Sequence, residues 1–420
     1  MEIYRKTLKN GIEFASARTD AFKSAEYMLT FVLPYDREAA AAYLLVAELL
    51  SQPTEKYPTL RSLSIVKDEL YALSVSSYSS QYNDSLVVRF RISATADSFA
   101  FDGEKILEGA LALLHEILFH PKKEGGIFPA ENFETKKKQI VDEINSLIED
   151  KPAFAMARAR ALLCKGEISG MRPEEEDVKA LDGQTVYDYF EKMIAEAPAF
   201  VAYAGEAEPE YVAELTEKYI DFPARKFITQ SCSAHIAKSE VKRVTEHADM
   251  EQCIVTLGFS DVLDGTMKRK AAAFVFDEIF GAGSTSKLFV NVREKAGLCY
   301  FCSSAANGRE NVTYVQCGTE KGSEEKVIKA IYKELDAMKS GDFSETDMDT
   351  AKKSLISAYR ASEGHLTGNL GLMNTILLYG EPADFQERLI AAVAAVTKED
   401  VVAFANTVVP ELEHILEGED

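Results

Sequence analysis

Leu288-Phe289-Val290-Asn291-Val292-Arg293-Glu294-Lys295-Ala296-Gly297-Leu298-Cys299-Tyr300 decides how the chain is organised. Its first part closes a helix predicted over 284–295, and its end enters a strand predicted over 298–305. A second strand is predicted over 312–318, so the unit is helix, strand, turn, strand. The same order stands earlier in the chain. Val66-Lys67-Asp68-Glu69 aligns with Val292-Arg293-Glu294-Lys295 at an offset of 292 − 66 = 226. It closes a helix predicted over 60–71, and strands predicted over 73–82 and 85–93 follow, joined around Asn83-Asp84. Ala204-Gly205-Glu206 and Glu417-Gly418-Glu419 pair the ends of the two halves at 418 − 205 = 213. Element order therefore reads as an internal duplication of roughly 210 residues per copy. Strands come mostly as hairpins, with helices clustered between them. That pattern implies α+β: two duplicated domains, each a mainly antiparallel sheet packed against helices, with the helices expected on one side. Strict β-α-β alternation is missing, which argues against a doubly wound parallel sheet.

Working outward, Asn10-Gly11 lies between two short strand signals and suits a type I′ hairpin turn. A strand over 25–33 is stopped by Pro34, and an Ala- and Leu-rich helix over 38–51 ends before Pro53. A long helix is predicted over 131–149, and Pro152 opens another that runs to about Cys164. Residues 223–238 have neither a helical nor a strand period and read as a linker. The expected division is 1–222 for the first domain, 223–238 for the linker and 239–420 for the second domain.

Composition limits the function classes. The 68 acidic and 47 basic residues give a net charge of −21, which opposes nucleic acid or an anionic membrane as the main partner. No apolar run reaches the roughly 20 residues of a membrane helix, and the first residues have no leader-like apolar stretch. The six cysteines are sparse and scattered, as expected of reduced thiols in a cytoplasmic protein.

Three motif-like stretches weigh little. Gly281-Ala282-Gly283 lacks the glycine pattern and the Lys-Ser/Thr of a phosphate loop, and reads as a helix end followed by a new helix start. His115 and His120 are five apart, about 140° out of phase on a helix at about 100° per residue, so they are expected to be ordinary helix residues. Cys299 and Cys302 are three apart in a predicted strand, where they would face opposite sides, and are not expected to form a metal or redox pair.

The stretch from Leu288 to Tyr300 resembles the C-terminal half of the insulinase/pitrilysin-type zinc peptidases. The pattern there runs Leu-Phe-x-x-Val-Arg-Glu-x-x-Gly-Leu-x-Tyr, and the subunit size is that of mitochondrial-processing-peptidase-like chains. The resemblance covers essentially the whole chain. It implies an inverted zinc motif, His-x-x-Glu-His, on an early helix, with a distal Glu as third ligand. Thr54-Glu55-Lys56 resembles the segment that follows that motif and sets the register. The expected His, Glu and His positions are then Leu44, Ala47 and Glu48, and Glu143 matches the distal ligand. No other register repairs the motif, because the first histidine in the chain is His115. The resemblance thus implies a chain that holds no metal or other cofactor. Arg293 and Tyr300 are retained. By resemblance they hold the substrate backbone or the developing oxyanion across the chamber from the zinc of a catalytic half. The implied role is the non-zinc, substrate-holding subunit of a two-chain peptidase, unlikely to cut peptides alone. The expected partners are a homologous zinc-bearing subunit and a peptide or unfolded polypeptide, with a homodimer as the alternative assembly. The alternative function is a non-enzymatic scaffold of the same fold.

Overall fold

A computed structural model describes residues 2–238 and 240–419. Met1 and Ser239, which begin the two expected domains, and Asp420, which ends the second, lie outside the described residues. The chain forms two compact units. One takes the chain up to Asn145, Arg172–Ser231 and Ser362–Ala383; the other takes Ser146–Met171, Cys232–Ala361 and the chain from Asp384.

The first unit is built on strands β1 (Tyr4–Thr7), β2 (Glu13–Arg18), β3 (Ser24–Pro34), β4 (Ser74–Tyr82), β5 (Ser85–Thr95) and β6 (Ala199–Gly205), in the order β1-β2-β6-β3-β5-β4. All pairs are antiparallel except β2 with β6. The second unit holds β7 (Lys242–Ala248), β8 (Gln252–Ser260), β9 (Phe301–Asn307), β10 (Val312–Glu320) and β11 (Val409–Gly418), in the order β7-β11-β8-β10-β9. Here too one pair is parallel, β7 with β11. Matching the sheets strand for strand puts β2-β6-β3-β5-β4 on β7-β11-β8-β10-β9, with the parallel pair in the same place. Ser85 of β5 and Val312 of β10 are 312 − 85 = 227 apart, close to the offset read from the helix ends. The α+β fold and its duplication are therefore those expected.

The helices differ from expectation in lying on both faces of each sheet. In β3 the side chains alternate, as strand geometry demands. Tyr27, Leu29 and Phe31 join a large core with Phe14, Phe90 and Val201, together with the helix Arg37–Leu50. Met28 and Val32 face the other way, where Ala15, Val87, Phe200 and Ala202 meet Leu366, Leu370, Met373 and Leu377 of the helix Leu366–Tyr379. In the second unit the helix Lys151–Leu163 lies against β8, β10 and β11 through Ala155, Ala159 and Leu163. Gly258 makes room for it, since a Cβ there would stand 3.0 Å from Leu163. On the opposite face Phe259 meets Tyr332 of the helix Glu324–Ser340 edge to face at 6.3 Å. Each unit thus recruits one helix from the other half of the sequence. The amphipathic pattern of those helices shows that a face is buried but not against which sheet.

The first hairpin also differs in detail. Only Gly11 has a left-handed backbone, at φ 81°, whereas a type I′ turn needs two such residues. Gly11 donates to the Leu8 carbonyl at 2.9 Å, and Leu8 donates to Ile12 at 2.8 Å. No helix is long and apolar enough to cross a membrane, among the described residues.

Candidate functional site

The helix that resembles a zinc-motif helix is a core helix here. Asp36 caps Arg37–Leu50 through the Ala39 N–H, and the run Ala39–Ala42 is buried, which lets the backbone approach its neighbours closely. Leu44 is half-buried among apolar side chains and Ala47 is 1% exposed, so neither position offers a donor. Glu48 is paired with Lys136, whose Nζ donates to Oε2 at 2.9 Å. Glu143 is exposed on the helix Ala130–Ser146, two turns beyond Lys136. A zinc ion needs three or four nitrogen, sulfur or carboxylate ligands in one place. These four positions supply two carboxylates, and an ammonium already neutralises one of them. These residues do not fit zinc.

The segment from Leu288 to Tyr300 keeps its chemistry. Leu288–Lys295 is wound as π-helix, with the Ala296 N–H reaching the Asn291 carbonyl five residues back at 3.2 Å. A preceding π-turn, Glu278–Ala282, is closed by Gly283 N–H to Glu278 at 3.1 Å. Wide turns of this kind concentrate at functional sites because they re-aim side chains from a helix end. Gly297 (φ 60°) then reverses the chain, and Leu298 donates to Val292 at 3.2 Å. The incoming loop is fixed to β10 by Thr319 Oγ1 donating to the Leu298 carbonyl at 2.6 Å and by Tyr300 N–H donating to Gly318 at 2.8 Å. The strand expected from Leu298 begins only at Phe301, so Leu298, Cys299 and Tyr300 belong to this loop.

Arg293 lies over the Phe289 ring, its guanidinium carbon 4.8 Å from the centroid, with Nε 3.7 Å from Glu294. Its side chain is 40% exposed, leaving most of its N–H fork open. Tyr300 is 51% exposed, and its hydroxyl donates to Glu320 Oε1 at 3.3 Å. Desolvation, and then the charge and hydrogen bond of Glu320, push the phenol above its usual pKa, which keeps the hydroxyl a neutral donor. The two side chains share the loop but make separate contacts. What the loop can do is offer one cationic fork and one hydroxyl to a carbonyl oxygen.

Sequence reasoning missed two features of the second unit. Cys299 does not sit in the strand, and its sulfur meets those of Cys302 and Cys317. The signal was the spacing Cys-x-x-Cys followed by a third cysteine 15 residues on, but only the register Cys302↔Cys317 brings the third one in. The other is His235, expected in a structureless linker. Residues 223–238 contain no helix or strand, yet His235 is buried between Glu167 and Glu411 at 2.9 and 3.0 Å.

Residues 180–355, which include the whole Arg293–Tyr300 loop, match the family described as "Peptidase M16 inactive domain". A Bacillus subtilis protein named "Probable inactive metalloprotease YmfF" is 25% identical over 427 residues, covering 98% of this chain and 97% of that protein. The chain is an insulinase-like, M16-family peptidase homologue that lacks the zinc motif. Solved structures agree on the M16-type fold. A conserved protein from Enterococcus faecalis superposes with a TM-score of 0.90 at 23% identity, covering 100% of this chain and 99% of that one. The peptidase M16 inactive domain from Pseudomonas fluorescens gives 0.82 at 15% identity, again over 100% and 99%. The matched residues 180–355 contain Arg293 and Tyr300 and leave out Leu44, Ala47 and Glu48.

Proposed function

We propose that this M16 homologue is the non-zinc, substrate-holding subunit of a two-chain peptidase, paired with a homologous subunit that carries zinc. The observation that carries the reading is the Tyr300 hydroxyl. It stands on a loop pinned to β10 by two hydrogen bonds, half-exposed, with a single acceptor among the described residues, at 3.3 Å, that an oxyanion can replace. A scaffold gains nothing from holding a tyrosine hydroxyl in the open, where the ring alone would pack as well.

In this reading the work of the chain is positional and electrostatic. Arg293 attracts and orients the peptide carbonyl, and Tyr300 donates to the oxygen as negative charge builds on it. Glu320 holds the hydroxyl in place until substrate arrives. Water activation is left to the partner, since Leu44 and Ala47 offer no ligand and the Glu48 carboxylate is already paired with Lys136. The substrate is an extended peptide or unfolded polypeptide, because the donors address backbone atoms and no side-chain pocket is required. Six cysteines with no disulfide among the described residues fit a reducing compartment, and we place the protein in the cytoplasm.

The test is co-purification and activity. A tagged copy of this chain should retain from its own lysate a homologue of similar length bearing His-x-x-Glu-His. The pair should cut an unfolded polypeptide that neither chain cuts alone. A stable homodimer with no such partner, and no gain of activity on mixing, would favour the scaffold.

A further inference from the structure

We infer that Cys299, Cys302 and Cys317 form a three-thiolate site for a thiophilic d10 cation such as Zn2+, separate from the lost catalytic zinc position. Their sulfurs all lie within 4.8 Å of one another. A zinc ion with Zn–S bonds of about 2.3 Å sets its thiolate sulfurs about 3.8 Å apart, so closure around a metal asks for movements of about 1 Å or less. The site is built by tertiary structure. Cys302 and Cys317 face each other directly across β9 and β10, and the pinned loop folds Cys299 back onto them. Cys302 and Cys317 are buried, at 5% and 0% exposure, while Cys299 is half-buried and forms the way in. An ion entering there meets two inner sulfurs and one outer one, and its fourth position is open to water.

Hydrogen bonds within the cluster and burial hold the Cys302 and Cys317 thiols above their usual range, a cost that the charge of the metal has to meet. Each thiol gives up a proton to the solvent on binding, and three thiolates around a divalent ion leave a single negative charge. The Arg293 guanidinium acts on Cys299 through its charge and offsets it. The other two clusters of ligating groups among the described residues offer less. In Cys164, Glu167 and His235 both imidazole nitrogens are already engaged by carboxylates, and Cys253, Glu324 and Glu417 bring only one sulfur. Three soft donors select zinc-like or cuprous ions over magnesium or calcium. A metal here would clamp the loop that presents Tyr300, whatever the loop's partner, so the inference stands apart from the subunit reading.

The test is titration of the reduced full-length chain with Cd2+, followed by the thiolate-to-metal charge-transfer absorbance. The band should saturate at one equivalent, be abolished in Cys299→Ser, persist in Cys232→Ser, and be displaced by excess Zn2+. Alkylation mapped by mass spectrometry gives an independent readout on the unmutated chain: Cys299 should react without metal and be protected with it. No band, a band that survives Cys299→Ser, or alkylation of Cys299 undiminished by Cd2+ would overturn the site. So would a disulfide between Cys299 and either partner in protein held at a cytosolic glutathione poise, which would make the cluster a redox clasp instead.

Discussion

Replacing His235 with alanine should unfasten the segment that leads into the second unit, and the size of the effect follows from its contacts. Nδ1 lies 2.9 Å from both carboxylate oxygens of Glu167, and Nε2 lies 3.0 Å from Oε2 of Glu411. The backbone N–H of His235 also donates to the Glu310 carbonyl at 2.7 Å, a bond that alanine keeps. Burial opposes the charged imidazole, but hydrogen bonds with Cys164, Glu411 and Glu167 outweigh it and raise the pKa from 6.5 to about 9. At pH 7 the ring is therefore a cation shared by two carboxylates. Glu411 is 2% exposed, so removing the imidazole strands a buried charge, a change that costs about 3–5 kcal/mol. The pH dependence has a definite sign. A raised folded-state pKa means the charged form's contribution is complete below about pH 6.5 and is lost as pH rises through about 9, a loss of about 3 kcal/mol for 2.5 units. The assay is urea unfolding followed by circular dichroism, since the chain has no tryptophan. The difference between wild type and His235→Ala, taken at each pH, cancels titrations elsewhere. It should be large near pH 6.5 and shrink steadily toward pH 10. A difference below 1 kcal/mol at pH 7, or one that does not change with pH, would refute the argument.

Glu246 should act in the opposite direction. Arg158 holds it with two nitrogens and His414 with a third, so its pKa falls to about 2, and the stability it supplies, about 1–3 kcal/mol, is present above pH 4.5 and lost between about 4.5 and 2; Glu246→Gln should remove that acid-side slope in a denaturation series. Gly11→Ala should destabilise the first unit by more than about 1 kcal/mol, because a Cβ there would stand 1.8 Å from the Arg225 carbonyl oxygen on a backbone of φ 81°, and thermal melts would show it. Zinc added to the isolated chain should confer no hydrolysis of an unfolded polypeptide, and cleavage that appears with zinc and is lost on chelation would contradict the reading of Leu44, Ala47 and Glu48. Glu48→Gln releases Lys136 from a partly exposed pair and should change stability by no more than about 1 kcal/mol in the same melts.

Much of this architecture was legible because its signals are local or repeated. Hairpins with short turns announce antiparallel pairing, and the recurring order of helix, strand, turn and strand carried the duplication, with Val66–Glu69 and Val292–Lys295 giving its offset. Proline at 152 marked a helix that Asp150 caps, as its side chain bonds to the Ala153 N–H. What stayed hidden depends on tertiary register. An apolar stripe on Leu366–Tyr379 shows burial but does not name β2, β3 and β6 as its support. The π-winding of Leu288–Lys295 delays β9 by three residues, which moves Cys299 out of the alternation that seemed to separate it from Cys302. His235 carried no pattern at all, because its partners lie 68 and 176 residues away. The Arg293–Tyr300 pair was legible only as a resemblance. The structure adds the exposure of both side chains and the hydrogen bonds that hold their loop.

The most direct measurement is turnover by a reconstituted two-chain peptidase containing Tyr300→Phe. The substitution keeps the ring and removes one hydroxyl whose only hydrogen-bond acceptor among the described residues is Glu320, so folding and partner binding should be unchanged. Losing one donor to a developing oxyanion costs about 10²–10³ in turnover. The account predicts a fall of that size in kcat, with KM little altered and a matched zinc-bearing partner in both samples. Turnover equal to that of the wild-type pair would contradict it and return this chain to a purely architectural role.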